Sequence, residues 1–267
     1  LLWGKEMPAD IFARKRRRSL GFFSLLALLT AGSVIITEYD VVKGFTSIFE
    51  ALRWGAANFY PDAQSLIKLP AILVKLKETI LISIAATTTA SVLALLLALG
   101  GSRSTRRNPL FSVLSRGTAS FFRNMPLAAW AMILMLAFSQ SPLTGYLALF
   151  CGSLGFLTRA FIETIDEVSS YSVEALSATG ASYGQIIFQA VLPCSLPLII
   201  SWLLYMVETN IRDATLVGIL TGSGIGFAFE LYYKSLNYHA ASLVVLTIIL
   251  AVIAIECLSN YVRRVIL

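Results

Sequence analysis

The stretch Glu174-Ala175-Leu176-Ser177-Ala178-Thr179-Gly180-Ala181, closed further on by Leu192-Pro193, decides how the chain is read. It is the long polar-containing interruption in a second half that otherwise reads as membrane. Good helix formers over 174–182 predict a short helix, and Gly180 predicts a bend, because glycine adopts unusual backbone angles without a steric penalty. A mixed segment over 183–190 predicts a second short helix. It gives way at Leu192-Pro193, where proline removes an amide donor and starts a new element. A bent helical pair between two apolar spans is a shape suited to a protein partner. The competing interpretation is an ordinary amphipathic loop.

Composition sets the class. Of 267 residues, 57% are hydrophobic and 13% charged, against roughly 25% charged in a soluble domain. The chain is therefore expected to be an all-α, polytopic membrane protein. With so few charges, the net +6 reads as membrane topology rather than nucleic-acid binding. Cys151, Cys194 and Cys257 are scattered without metal or redox spacing. A lone His239 excludes a histidine-based triad or a two-histidine zinc site within one chain. No catalytic or metal-binding residue is assigned.

Working outward, six spans are expected. The first covers 20–37 and follows Arg14-Lys15-Arg16-Arg17-Arg18. It is long enough to cross and lacks a cleavage site of small residues followed by a soluble domain, so it is read as a helix with its N-terminus in the cytoplasm. Residues 38–77 are expected outside as short interfacial helices. The second span is 79–100. A mixed helix over 110–124 meets Met125-Pro126 and bends into the third span, 127–139. The fourth, 143–162, has Gly145, Gly152 and Gly155 for close packing. The fifth is 192–207 and the sixth 240–258. Basic clusters at 14–18, 103–107 and 263–264 then share one side with both termini and the Glu174 loop. The organisation expected is an N-terminal part, 1–77, and a transmembrane core, 78–267, with the loop at about 163–193.

A second polar segment, Glu208-Thr209-Asn210-Ile211-Arg212-Asp213-Ala214-Thr215, precedes Gly218 and Gly222-Ser223-Gly224-Ile225-Gly226. Charges at membrane depth are costly and are usually paired or turned inward. Glu208 and Arg212 stand four apart and can pair along one helix face. The segment therefore admits two roles: lining a path for a polar solute, or a structural ion pair. The glycines do not form GxGxxG after a strand, so no dinucleotide site is expected. A re-entrant bend or a close helix contact fits them better.

The Glu174-Ala175-Leu176, Gly180, Leu192-Pro193 spacing resembles the EAA loop of ABC-importer permeases, with Ala190 where a larger apolar residue is usual. Glu208 through Gly226 resembles the corresponding segment of phosphonate permeases, with Asp213 in place of a smaller or neutral residue. This resemblance covers about 79–267. It implies a type I ABC-importer permease fold with a cytoplasmic coupling helix, in the bacterial cytoplasmic membrane. The cargo it implies is phosphonate, phosphite or another phosphorus oxyanion. The implied partners are a second copy forming a homodimer, two ABC ATPase subunits carrying ATP and Mg, an extracytoplasmic solute-binding protein and membrane lipid. Glu174, Ala175, Leu176, Gly180, Ala181, Leu192 and Pro193 would contact the ATPase. Glu208, Asn210, Arg212, Asp213, Thr215, Gly222, Gly224 and Gly226 would line the path.

No GxxxxGK[ST] loop is present, so ATP hydrolysis would belong to a separate subunit. One alternative is a secondary transporter driven by an ion gradient, using Glu208, Asp213, Glu230 or Glu256. It would be expected to show an internal repeat, and none is visible. An intramembrane enzyme would need a histidine or paired carboxylates at catalytic spacing.

Overall fold

The computed structural model describes residues 8–266. The start of the basic leader, from Lys5 to Met7, lies outside them. The described residues are helical, with no strand among them, and divide into two compact units between Asn58 and Phe59.

The first unit holds α1, Pro8–Ile36, and α2, Val41–Asn58. α1 takes the basic cluster and the apolar run into one helix, and 25 of its residues satisfy the length and composition of a span. α2 is amphipathic, as expected for a helix lying at an interface.

The second unit begins with α3, Ala63–Leu66, whose N-terminal cap Asp62 accepts a hydrogen bond from the Ser65 amide at 2.7 Å. That bond holds the Asp62 carboxyl below its ordinary range. Then come α4, Leu69–Gly101, α5, Pro109–Asn124, α6, Leu127–Phe138, and α7, Pro142–Val168. α4 starts well before the expected span. Pro70 sits in its first turn, where a missing amide costs nothing, and Lys75 pairs with Glu78 at 2.7 Å. The helix therefore runs straight through 77 and 78.

α5 and α6 bend by 92° at the Met125-Pro126 break. At 12 residues, α6 covers only about 18 Å, too little to cross about 30 Å of hydrocarbon alone. The expected third span is thus a broken pair, and counting it as one brings five candidate spans to six.

The remaining elements are α8, Ser170–Ala178, α9, Tyr183–Ile186, a π-helical turn, Ile187–Val191, α10, Leu192–Thr221, α11, Gly224–Lys234, and α12, Tyr238–Ile266. Leu192-Pro193 opens α10 as expected, with Pro193 in its first turn, and the π turn before it joins α10 to α9 without a break in the helical run. One expectation is corrected here. The fifth span does not end at 207: one helical run covers Tyr183–Thr221 and carries the polar segment within it.

α7 is the hub, packing against α4, α5, α6 and α10. Ala86, Ala90, Ala94 and Ala98 of α4 recur every fourth residue and are fully buried. Small side chains on that stripe let helix backbones approach closely, the main source of packing energy where water is absent. Gly155 serves α7 in the same way, since a Cβ there would fall 2.8 Å from the backbone of Phe122 at the end of α5.

Asn210 is 1% exposed and ties three helices together. Its Nδ2 donates to Thr87 Oγ1 of α4 at 2.8 Å and to Ser153 Oγ of α7 at 2.6 Å. Its backbone carbonyl accepts from Ser83 Oγ at 3.2 Å. Asn210→Leu should destabilise the detergent-solubilised protein by about 1–3 kcal/mol, at roughly 0.6–1.7 kcal/mol per interhelical bond. Thermal denaturation monitored by size-exclusion should show a lower midpoint than wild type, whereas Asn260→Leu on the exposed part of α12 should not move it.

Candidate functional site

Three structures along the second unit hold the residues singled out from the sequence: the exposed loop around Glu174, the turn between α10 and α11, and the charged middle of α10.

The loop rests on Asp166 at the end of α7. Its Oδ1 accepts from Ser102 Oγ and from the Arg103 amide, both at 2.6 Å, and from the Ser104 amide at 3.2 Å. Its Oδ2 faces Arg116 at 3.5 Å. One carboxylate thus anchors the α4–α5 connection to the helix that feeds α8. Asp166 was not singled out from the sequence, because nothing local in residue order pairs it with the basic, serine-rich turn after α4.

α8 ends as its sequence predicts. Gly180 has φ +78°, its amide donates to Ser177 O at 3.1 Å, and the Ala181 amide donates to Leu176 O at 3.2 Å. That paired arrangement closes a helix through a left-handed residue. The Ser182 amide and hydroxyl then bond Gln185 Oε1 at 2.8 and 2.9 Å, starting α9. Glu174, Ala175, Gly180 and Pro193 are exposed, while Leu176, Ala181 and Leu192 are half-buried beneath them. The Glu174 carboxylate has no hydrogen bond or ion pair among the described residues. Two exposed aromatics, Tyr171 at 85% and Phe188 at 73%, join this surface. Neither was singled out from sequence, because an aromatic beside an apolar span reads as core. Ala190 is buried and faces inward.

At the other end of α10, Gly222 caps the helix with φ +67° and Gly224 follows with φ +60°. α4 supplies the partners for the next helix: the Ile225 amide donates to Thr79 Oγ1 at 2.8 Å, and the Gly224 amide to Glu78 Oε1 at 3.3 Å. A Cβ on Gly226 would overlap the carbonyl oxygen of Thr215 and lie 2.8 Å from the Ile219 amide. These glycines therefore form a tight α10–α11 turn, with the backbones in contact.

Between these ends lies the charged belt. Glu208 is 8% exposed, and its Oε1 accepts from Arg212 Nη2 at 2.7 Å. Its Oε2 is 3.8 Å from Arg263 Nη2 on α12. Arg212 is half-exposed on the surface of the unit, Asp213 and Thr215 are partly buried, and Asn210 is enclosed by its bonds to α4 and α7. The structure brings Glu208 and Arg212 together and separates them from Asn210. Arg263, read from sequence as a topology marker, turns inward onto Glu208.

Set beside known proteins, residues 90–266 match the family described as binding-protein-dependent transport system inner membrane component. A phosphite transport system permease protein, PtxC, of Stutzerimonas stutzeri is 31% identical over 70% of this chain and 68% of its own. The phosphate-import permease protein PhnE of Mycolicibacterium smegmatis is 28% identical over 94% of this chain, which spans 47% of that relative's length. Among solved structures, a chain of the MetNI methionine ABC transporter superposes with a TM-score of 0.66 at 18% identity, covering 73% of this chain and 96% of that one.

Gly226→Ala should lower the thermal midpoint sharply, by the 1–3 kcal/mol typical of overpacking or more, because backbone has nowhere to retreat. Gly184→Ala, which meets open space inside a helical segment, should leave the midpoint unchanged or raise it. Parallel melting curves of the two purified variants provide the check.

Proposed function

The chain belongs to the family of binding-protein-dependent transport system inner membrane components, and we propose that it is the permease subunit of an ATP-driven importer for phosphonate, phosphite or a phosphate ester. The observation that carries the cargo assignment is Arg212. It sits within a 30-residue helix of span character, with its side chain 47% exposed on the surface of the unit while its carboxylate partner is buried. An arginine at membrane depth that is not enclosed by its own chain should face a polar path or another subunit. Its planar, permanently charged fork matches the oxygens of a phosphorus oxyanion. Names of the relatives point to the same chemistry.

In this reading Asp213 and Thr215 border the same path. Asn210 and the turn glycines Gly222, Gly224 and Gly226 support it from within. Two copies would face each other across the path, each contributing one Arg212. The Glu174–Pro193 surface would seat in one of two ATPase subunits, where ATP and Mg bind, and a solute-binding protein would deliver cargo on the opposite face. With six spans, both termini share the side of the basic clusters, which the charge rule assigns to the cytoplasm. The 78–267 segment would form the transmembrane core of each half.

Loss of a charge-assisted contact of about 1.5–3 kcal/mol corresponds to roughly 10- to 100-fold. Arg212→Ala should therefore reduce binding-protein-dependent uptake of phosphite and methylphosphonate by at least tenfold at equal membrane abundance. Arg212→Lys should retain more uptake than Arg212→Ala. Wild-type uptake by Arg212→Ala would leave the pair with Glu208 a purely structural role.

A further inference from the structure

Resting on the reading of Arg212 as the cargo contact, the geometry points to a carboxylate exchanged between two arginines. Glu208 is shared: Oε1 is bonded to Arg212 at 2.7 Å, and Oε2 stands 3.8 Å from Arg263 Nη2. The first contact is a full hydrogen bond and the second is an approach without one. Nε and Nη2 of Arg263 are buried, and neither has a hydrogen-bond partner among the described residues. Ser259 Oγ, one helical turn away on α12, and Thr215 Oγ1 on α10 are buried without partners as well. The seam between α10 and α12 thus holds a charged donor whose bonding capacity is unused beside a carboxylate that another arginine occupies.

Arg212 cannot offer its fork fully to an anion while Glu208 holds it. Releasing it would strand a buried carboxylate, and an uncompensated buried charge is strongly destabilising. Arg263 removes that obstacle. A side-chain shift of about 1 Å would bring its Nη2 to ordinary hydrogen-bond distance from Oε2. The carboxylate then passes from one guanidinium to the other while Arg212 turns to the oxyanion. No proton moves, and the local charge stays fixed. Arg263 is thereby a positioning residue that acts through Glu208. The remaining ionisable group near Arg212 along α10 is Asp213, which is partly buried beside it.

The test uses the complete importer in proteoliposomes, with saturating binding protein and phosphite or methylphosphonate as cargo. Arg263→Gln should lower uptake about tenfold, because Glu208 then keeps Arg212, and Arg263→Lys should recover most of it. The decisive comparison is made in a Glu208→Gln background, where there is no charge to pass on. There, adding Arg263→Gln should change uptake less than twofold. A further tenfold loss in that background would overturn the exchange, as would wild-type uptake by Arg263→Gln alone. Arg212→Ala separates the two claims. If it abolishes uptake while Arg263→Gln is silent, only the exchange fails; if it leaves uptake intact, the cargo assignment itself fails.

Discussion

Hydrocarbon offers no hydrogen bonds, so every polar group drawn into the bundle must find its partner in protein. Asn210 shows how far that requirement shapes this chain. Its amide and carbonyl take up hydroxyls from α4 and α7, fixing the rotation of α10 about its own axis. With that rotation set, Ile211 and Ala214 face the packed interior and Arg212 is left on the outer surface of the unit. The alanine stripe of α4 allows the approach these short side chains require, since Ser83 and Thr87 reach α10 only when the helices are close. Packing and polar satisfaction are thus one constraint.

The same accounting explains the α10–α11 turn. Ser223 gives its hydroxyl to Thr221 at 2.9 Å rather than to the helix it precedes. The open amides of α11 are met instead by Glu78 and Thr79 on α4. A helix start capped from another helix needs both backbones in place, and that is why glycine occupies 222, 224 and 226. The charge of Glu78 is in turn balanced by Lys75. Glu78, in the part of α4 that precedes the expected span, therefore serves the turn.

Much of this was legible in residue order. Apolar runs placed the spans, and Gly180 announced a left-handed helix end that the backbone adopts. Glu208 and Arg212 at a four-residue spacing gave an ion pair that forms. What could not be read has physical causes. Lys75 and Lys77 lowered the hydropathy of a segment that tertiary packing makes helical. Leu192-Pro193 announced the start of α10, whereas the π turn that joins it to α9 without a break has no signature in residue order. The inward turn of Arg263 depends on which residue of α10 lies opposite α12, a matter of three-dimensional alignment with no signature in local sequence. Asp166 escaped notice for the same reason, as its partners lie far back in the chain, in the α4–α5 connection and on α5.

The unbroken helical run through Pro193 has the largest consequence for how the molecule could work. Because helix continues from Tyr183 to Thr221, Phe188 and Pro193 of the exposed loop surface and the arginine belt lie on one rod of about 58 Å. Displacement at one end of such a rod must appear as tilt or translation at the other, unless it is absorbed between. The single irregular place is the π turn at Ile187–Val191 with Pro193 and Pro197 after it, where backbone bonding is weakest. Val191 is fully buried and Ile187 nearly so, so this weak point is clamped against α4 and α7 rather than free to flex. A pull on the exposed side of the rod at Phe188 would therefore be delivered to the bundle with little lost in the joint, and would reach the helix face on which Arg212 stands.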